Sequence, residues 1–326
     1  MIEVNGISKN YEVVKKNPGL RGAIKGLFSR EVTEKKAVKD ISFNIADGEL
    51  VGFIGTNGAG KSTTIKMLCG ILTPTDGQIE LNGFVPHENR QKIAKDLGVV
   101  FGQRSQLFWD IAVRESYDLL KHIYEVPEED YQKNLALFTE VLDLEPLLDI
   151  PVRQLSLGQK MRCELGAAFL HNPSIVFLDE PTIGLDVMVK DKIRNFVKEM
   201  NRLHGTTVLL TTHDMQDIEE ICDRVIIIDE GEILFDDSLV KVKDIFGAFK
   251  FIKLELEEGT SFDLPASLES LLVSKESEGN LITLTLHKGE LSIATIIASL
   301  ANINSILDVS VSDPTIEDIV KQICAK

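Results

Sequence analysis

The amino-acid sequence predicts an α/β fold with a largely parallel central sheet, followed by a smaller α+β unit. Two patterns support this prediction. Short apolar stretches alternate with segments of helical spacing, and a glycine-rich turn joins one such stretch to the helical pattern after it. Strands that alternate with helices pair in parallel, because each helix carries the chain back across the sheet. The parallel strands are expected at 49–54, 174–178, 206–211 and 224–229.

The other elements of the main body follow from the same two periodicities. Short apolar runs predict further strands at 2–4, 37–45, 78–81 and 98–101. Apolar residues that recur at helical spacing predict helices after Lys61 and at 159–171, 187–204 and 215–222. Between 110 and 148 the helical spacing continues without a strand pattern, so a helical subdomain is expected at about 104–158.

Residues 1–240 are expected to form the main domain, and residues 241–326 an accessory domain. The patterns after residue 248 run strand, loop or short helix, strand, strand, helix, strand and helix. This order is typical of a ferredoxin-like α+β fold. Pro314 stands directly before the last helix, which is predicted at 315–323.

Composition and charge limit the class of protein. Apolar residues make up 44% and charged residues 26%, which is typical of globular chains and excludes global disorder. The 35 basic and 51 acidic residues give a net charge of −16, whereas a general nucleic-acid binder presents a basic surface. No nucleic-acid partner is therefore expected.

Membrane spanning and secretion are also disfavoured. The longest uncharged run, 291–307, has 17 residues and several polar ones, whereas a spanning helix needs about 20 mostly apolar residues. The N-terminus lacks the apolar core of a secretory signal. The four cysteines lie far apart in the sequence, which favours buried thiols in a reduced cytosolic compartment.

A phosphate-binding loop is predicted at 55–62, between a strand and a helix. Its residues fit the pattern GxxxxGK[ST]. Glycines let backbone N–H groups converge on phosphate oxygens, and the helix N-terminus adds a favourable dipole. Lys61 is expected to reach the β- and γ-phosphates, and the Ser62 hydroxyl to bind Mg²⁺.

A carboxylate pair, Asp179 and Glu180, directly follows the apolar strand predicted at 174–178. Ligands of parallel sheets bind at the carboxyl ends of the strands. Asp179 is therefore expected to hold Mg²⁺ through its water shell, and Glu180 to orient or deprotonate the attacking water. Alone, the pair would be equally consistent with an acidic turn before Pro181, but a phosphate loop in the same chain favours the site.

The stretch Leu155-Ser156-Leu157-Gly158-Gln159 resembles the LSGGQ signature of ABC ATPases, although Leu157 stands where the first glycine is usual. It precedes Asp179 by 24 residues, and four further motifs match in the order of the family along residues 1–240. The adenine-stacking aromatic residue, the Q-loop glutamine, the D-loop aspartate and the switch histidine are matched by Tyr11, Gln103, Asp186 and His213.

The resemblance implies an ABC ATPase core with an antiparallel β subdomain and a helical subdomain, and it implies ATP and Mg²⁺ as cofactors. Catalytic roles are implied for Gln103, Glu180 and His213, and Mg²⁺ contacts for Ser62, Gln103 and Asp179. Contacts to ATP are implied for Tyr11, Gly55, Asn57, Gly58, Gly60, Lys61, Ser62, Thr63, Ser156, Gly158, Gln159 and Asp186.

The resemblance also implies an ATPase subunit that dimerises on ATP and drives a separate integral-membrane permease. The dimer would contain two copies of this chain or a paired ATPase subunit. A single cassette with a C-terminal domain resembles the ATPases of ABC-2 type exporters, so export is expected. Three alternatives stay open. They are an ABC ATPase that acts on nucleic acid or ribosomes, a P-loop kinase and a binding module that has lost hydrolysis.

Residues 13–36 form a basic insertion between Tyr11 and the strand near Val38. They include seven basic and two acidic residues, a local charge of +5. Apolar residues between 20 and 28 recur at helical spacing, which indicates a basic amphipathic helix. Residues 15–36 are therefore candidates for contact with anionic lipid or with the permease, and a solvated loop is the alternative. The expected location is cytoplasmic, peripheral on the inner face of the cell membrane.

Overall fold

The computed structural model describes residues 1–14, 32–102, 104–246, 249–257, 264–287, 293–301 and 306–312. The chain forms two compact units, Met1–Asp237 and Ser238–Lys326. Each unit has an apolar core of its own, and each is described by itself.

The first unit begins with a three-stranded antiparallel sheet. It is formed by β1 (Ile2–Val14), β2 (Val32–Ile45) and β4 (Asp76–Leu81), in the order β2-β1-β4. Ile2 and Val4 of β1 are fully buried, which is the period-two pattern of a strand with one face in the core, and Ile7 is buried beyond a register shift. Towards the residue 14 end, β1 and β2 continue as a ribbon in which Tyr11 lies opposite Lys35.

The central sheet of the first unit has six strands among the described residues. They are β3 (Leu50–Gly55), β5 (Leu97–Phe101), β6 (Ile175–Asp179), β7 (Thr207–Thr211), β8 (Arg224–Asp229) and β9 (Glu232–Ser238). Their order is β5-β6-β7-β3-β8-β9. The pairs β5–β6, β6–β7, β7–β3 and β3–β8 are parallel. Strands buried on both faces read as continuous apolar runs, which explains the sequence pattern.

Seven α-helices complete the described part of the first unit. They are α1 (Lys61–Leu68), α2 (Arg90–Ala94), α3 (Val113–Ile123), α4 (Glu128–Leu142), α5 (Leu157–Phe169), α6 (Val187–His204) and α7 (Met215–Ile221). The bounds of α6 follow from its caps. The Asp186 carboxylate accepts the N–H of Val189, and Gly205 ends the helix with a φ of +65°.

The second unit packs helices against a four-stranded antiparallel sheet. Its elements are α8 (Leu239–Phe246), β10 (Phe249–Leu256), α9 (Ala266–Glu269), β11 (Leu272–Glu278), β12 (Leu281–His287), α10 (Ile293–Ala301) and β13 (Ile306–Ser312). The sheet order is β11-β12-β10-β13. Leu268 and Leu300 from the helices pack with buried strand residues such as Ile252 and Leu284.

The α/β fold, the parallel sheet and the helical stretch between β5 and β6 are confirmed. The second unit follows the predicted ferredoxin-like order through β13, while the helix predicted at 315–323 lies outside the described residues. The apolar residues between 20 and 28 also lie outside them. The run 291–307 contains α10 and the start of β13. No helix in the described ranges has the length and apolar character needed to cross a membrane.

Candidate nucleotide site

The carboxyl ends of neighbouring parallel strands bring most of the predicted site residues together. β7 lies between β6 and β3, and Asp179 at the end of β6 is in register with Thr211 on one side and Phe101 on the other. The phosphate-loop pattern follows β3, Glu180 follows β6, and His213 follows β7. Ligands bind at this edge of a parallel sheet, so the topology alone gathers three motifs that are far apart in sequence.

The shape of loop 55–62 depends on glycine. Gly60 stands before α1 with a φ of +113°, and a Cβ at this position would lie 2.7 Å from the carbonyl oxygen of Ala37. A larger residue would therefore strain the backbone and clash with β2. At the other end of the loop, the Thr56 hydroxyl donates a hydrogen bond to Asp229. The first N–H groups of α1 lack intrahelical partners, and the helix dipole favours an anion there.

Lys61 lies within this loop, and its side chain is buried. Its ammonium group donates hydrogen bonds to the carbonyl oxygens of Gly55 at 2.6 Å and Thr56 at 3.1 Å. These two bonds hold the positive charge across the loop, where the loop N–H groups and α1 also favour an anion. The side chain is thus pre-organised for phosphate oxygens.

A hydroxyl and a carboxylate face each other beside Lys61. The Ser62 Oγ and the Asp179 Oδ1 are 3.5 Å apart, and the Thr211 hydroxyl donates to the same Oδ1 at 2.7 Å. Mg²⁺ prefers oxygen ligands, and it commonly takes one or two from the protein and the rest from water and phosphate. The donor set of Ser62 and Asp179 therefore fits a Mg²⁺ ion that accompanies a nucleotide.

Glu180 is held in a strained conformation against His213. Its φ is +59°, a left-handed value that is uncommon for residues other than glycine. Its N–H donates to the carbonyl oxygen of Thr211 at 3.0 Å, which anchors the turn. The Oε1 of Glu180 lies 2.9 Å from the Nε2 of His213. Burial raises the pKa of Glu180, and His213 and Lys61 oppose this shift. The carboxylate is thereby tuned towards a general base.

An open cavity of about 570 Å³ lies over these groups, a size typical of small-molecule sites. It extends from Tyr11 on the β1–β2 ribbon to Glu180 and His213 at the sheet edge. The other predicted residues that line it are Asn57, Gly58, Gly60, Lys61, Ser62 and Thr63. The cavity therefore combines an aromatic ring at one end with the phosphate loop and the carboxylate at the other.

The signature and D-loop residues occupy helix starts. Ser156 caps α5: its Oγ accepts the Gln159 N–H at 3.3 Å, and the Gln159 Oε1 accepts the Ser156 N–H at 2.8 Å. This capping box orients the exposed first turn of α5. Gly158 lies in that turn, and Asp186 caps α6. Among the residues described as lining the 570 Å³ cavity, none comes from these segments, so the two groups of motifs form separate surfaces.

Gln103 lies outside the described residues, but both of its neighbours are placed. The Gly102 N–H donates to the carbonyl oxygen of Asp179 at 2.9 Å. A Cβ on Gly102 would lie 2.8 Å from the carbonyl oxygen of Glu180, so the chain passes too close to the carboxylate pair for a side chain. Arg104 lines a second cavity of about 380 Å³ together with Ser62, Asp179 and Glu180.

The structure adds residues that the sequence patterns did not indicate. Lys35 lines the 570 Å³ cavity from the strand opposite Tyr11. A buried group behind the site, here named the Asp217 cluster, consists of Thr182, Arg194, Thr212 and Asp217. The Asp217 carboxylate accepts hydrogen bonds from Arg194 Nε at 2.7 Å and from the Thr212 hydroxyl at 2.9 Å. It also accepts one from the Thr182 hydroxyl at 2.5 Å.

The Asp217 cluster joins the two loops that carry Glu180 and His213. Thr182 is two residues after Glu180, and Thr212 directly precedes His213. The only sequence signal for the cluster is polar residues placed next to the predicted site residues. Spacing alone does not reveal that one carboxylate in α7 binds both loops.

A phosphate-binding loop beside a carboxylate pair at the edge of a parallel sheet defines a P-loop nucleoside triphosphatase. Comparisons with known proteins identify the family within this class. The family model described as ABC transporter matches residues 38–183. The linearmycin resistance ATP-binding protein LnrL of Bacillus subtilis is 32% identical over 260 residues, 80% of each chain. The methionine import ATP-binding protein MetN 2 of Enterococcus faecalis is 31% identical over 274 residues, 81% of this chain and 78% of its own.

Solved structures support the same family. An ATP-binding subunit of an ABC transporter has a TM-score of 0.64 at 26% identity, covering 76% of this chain and 93% of its own. A dimeric ATP-binding cassette in a post-hydrolysis state with ADP and Pi has a TM-score of 0.61 at 27% identity, covering 73% and 99%. The chain belongs to the family of ABC transporter ATP-binding proteins, and it is an ATP-hydrolysing cassette. The predicted family, fold and activity are confirmed.

Proposed function

We propose that this chain is the ATPase subunit of an ABC exporter, working as a dimer on a separate permease. One observation supports the proposed dimer. Lys61, Glu180 and His213 line one cavity, whereas the signature turn capped by Ser156 forms a separate exposed surface. A second subunit that docks head to tail would place its signature turn over the ATP of the first. Each composite site would then contain a phosphate loop from one chain and a signature from the other.

Within the composite site, the residues of this chain have distinct roles in hydrolysis. Tyr11 stacks on the adenine ring, and Lys61 with the N–H groups of loop 55–62 binds the β- and γ-phosphates. Ser62 and Asp179 would hold Mg²⁺, which would supply positive charge against the phosphates. Glu180 orients the attacking water and takes its proton, and His213 stabilises the γ-phosphate charge through its imidazole. Gln103 senses the γ-phosphate at the join with the helical segment.

The exposed apolar side chains around the signature support a docking role. Leu157, Ile183, Val187 and Met188 are each about half or more exposed, and the Cδ2 of Leu157 would lie 3.3 Å from a Cβ on Gly184. Leu157 therefore packs beside the D-loop, in place of the glycine that is usual there. Covering such side chains on dimerisation would favour association.

The dimer predicts a specific defect for Ser156→Asp. Asp is as good an N-cap as Ser, so α5 should stay folded. Its charge would repel the γ-phosphate bound by the partner, so hydrolysis is expected to be lost while ATP affinity of the chain itself changes by less than about twofold. Ser156→Asn, a neutral cap, is the comparison variant and should lose less activity than Ser156→Asp, since it adds no charge. Phosphate release and equilibrium ATP binding measure both quantities.

Mixing two inactive variants tests the composite site directly. A Lys61→Ala chain supplies an intact signature, and a Ser156→Asp chain supplies an intact phosphate loop. Mixed dimers contain one complete site, so phosphate release should reappear on mixing. Full activity of Ser156→Asp alone would show that one chain completes its own site, and the dimer proposal would then be wrong.

The permease partner and the export direction are the finer parts of the proposal. Phe108 and Trp109 are exposed in the segment that follows the loop after β5, and aromatic residues are enriched at protein interfaces. The relatives include a resistance protein and an import protein; the single cassette with a C-terminal unit favours export. We propose the second unit, from about residue 241, as an accessory domain. Co-purification from membranes with identification of the integral subunit tests the permease partner. ATP-driven uptake into inverted vesicles tests the export direction. Uptake only into right-side-out vesicles would indicate import.

We further propose that the protein lies on the inner face of the cell membrane and that residues 15–36 contact anionic lipid. Because Val14 pairs with Val32, an Asn-Gly turn can replace residues 15–31 without breaking the β1–β2 pairing. The full chain is expected to float with vesicles that contain anionic phospholipid. Each basic residue near the membrane surface should contribute about 1 kcal/mol of binding free energy. The turn variant should not float but should still hydrolyse ATP. Equal flotation of both chains would contradict the proposed contact between residues 15–36 and lipid.

A further inference from the structure

A buried carboxylate on α5 holds the loop that follows residue 103. Glu164 is 4% exposed. Its Oε1 accepts a hydrogen bond from the Ser105 hydroxyl, and its Oε2 accepts the Gln106 N–H at 3.1 Å. The side-chain amide of Gln106 in turn donates to the backbone carbonyl oxygen of Glu164 at 3.1 Å. Three hydrogen bonds therefore join two consecutive loop residues to one position of the helix.

The same loop is attached to the ATP site at its other end. The Gly102 N–H bonds to the carbonyl oxygen of Asp179, and the Arg104 N–H bonds to the carbonyl oxygen of Phe101. Gly102 is thus bonded to the carboxylate pair, and residues 105–106 are bonded to α5. The first turn of α5 is the signature turn, so this segment is a direct physical connection between the two surfaces.

Burying a charged carboxylate at this position is costly unless its oxygens accept hydrogen bonds. Burial raises the pKa of Glu164, and the bonds from Ser105 and Gln106 oppose this shift. Leu107, the next residue, is buried, and its N–H bonds to the Ser105 hydroxyl at 3.2 Å. An apolar residue at 164 would fill the space but would leave the N–H of Gln106 and the hydroxyl of Ser105 without this partner.

We propose that Glu164 is a positioning residue for ATP hydrolysis, which fixes segment 104–107 to the signature helix so that both move as one body. The proposal rests on the dimeric mechanism above. In that mechanism, closure must bring the signature turn and the chain around residue 103 into place together. Without the carboxylate, the segment could shift while α5 remains folded. Misplacement by about 1 Å can reduce a rate by about a hundredfold.

The test compares Glu164→Ala, Glu164→Gln and Ser105→Ala in the full-length chain. Glu164→Ala is expected to lower kcat by about tenfold or more, with the Kd for ATP changed by less than about twofold. Glu164→Gln keeps a hydrogen-bonding group of the same shape and should restore most of kcat. Ser105→Ala alters an exposed loop residue, which cannot unfold the core, and should lower kcat by about threefold or more.

Asn134→Ala is the matched control for lost packing and hydrogen bonding. Asn134 is as buried as Glu164, and its amide donates to the carbonyl oxygen of Leu170 at 3.0 Å, near the other end of α5. Its removal should lower the Tm but leave kcat nearly unchanged at a temperature where the protein is folded. Normal kcat in both Ser105→Ala and folded Glu164→Ala would overturn the proposal. Equal losses of kcat in Glu164→Ala and Asn134→Ala would overturn it as well. Either result would leave the Ser156 experiments unaffected, so the two proposals fail separately.

Discussion

Glu180→Gln is expected to reduce ATP hydrolysis by at least about a hundredfold, because a positioned general base contributes that much or more. The substitution keeps the size of the side chain and a group that can contact His213 Nε2, which lies 2.9 Å from Oε1 in the structure. Lys61, Ser62 and the loop are untouched, so ATP binding should be retained. ATP would then accumulate in the composite site, and the variant should persist as a closed dimer in the presence of ATP.

Phosphate release, equilibrium ATP binding and size-exclusion chromatography with and without ATP measure these three outcomes. Glu129→Gln is the matched control, since Glu129 lies on the exposed surface and pairs only with Lys133 among the contacts described. It should hydrolyse ATP at the normal rate. Near-normal hydrolysis by Glu180→Gln would show that Glu180 is not the general base. A variant that neither hydrolyses nor binds ATP would instead indicate a structural role.

The pH dependence of kcat gives a second measure of the same group. A general base must be unprotonated, so activity falls as the pH falls through its pKa. Because burial raises the pKa of Glu180, this acid limb should lie at higher pH than an ordinary glutamate would give. The limb should be missing from the residual activity of Glu180→Gln. If kcat of Glu180→Gln still falls at the same acidic pH, the titrating group is a residue other than Glu180.

The sequence predicts the elements best where local chemistry marks their ends. The helix expected at 187–204 is observed with those bounds, because Asp186 and Gly205 cap it. The strands expected at 2–4 and 37–45 extend in the structure to Ile2–Val14 and Val32–Ile45. In the added stretches, residues 11–12 and 33–36 are exposed to solvent. Backbone pairing between the two strands, rather than burial, holds them, so no apolar pattern indicates their length.

The site shows the same division between local and tertiary information. Lys61 and Ser62 follow from one contiguous motif, since their chemistry depends on neighbours in the chain. The contact between Glu164 and Ser105 joins residues 59 positions apart, and it exists only because α5 packs beside the loop after β5. The Asp217 cluster likewise joins α6, α7 and two loops. Motif spacing therefore predicts which groups face the ATP, and the fold is needed to show which groups position them.

Asp217→Ala is expected to destabilise the first unit by about 3–5 kcal/mol, because it leaves the buried charge of Arg194 without its closest partner. Arg194 and Asp217 are 1% and 0% exposed, and Nε and Oδ1 are 2.7 Å apart. Among the described residues, the more exposed carboxylates Asp191, Asp214 and Glu220 stay paired with Arg194. The free energy of unfolding from urea titration measures the loss. Arg202→Ala, which removes an exposed pair with Glu199, is the control and should change it little.

The double variant Arg194→Met, Asp217→Leu separates the stability of this cluster from its effect on hydrolysis. Replacing both members of a buried ion pair by apolar residues of similar volume is often neutral or stabilising, so the double variant should recover most of the lost stability. The hydroxyls of Thr182 and Thr212 would still lack their shared acceptor, so the loops that carry Glu180 and His213 would no longer be held together. We therefore expect kcat to stay low although the fold is restored. Recovery of both quantities would mean that Asp217 contributes to folding alone, and that β6 and β7 position the two loops without it.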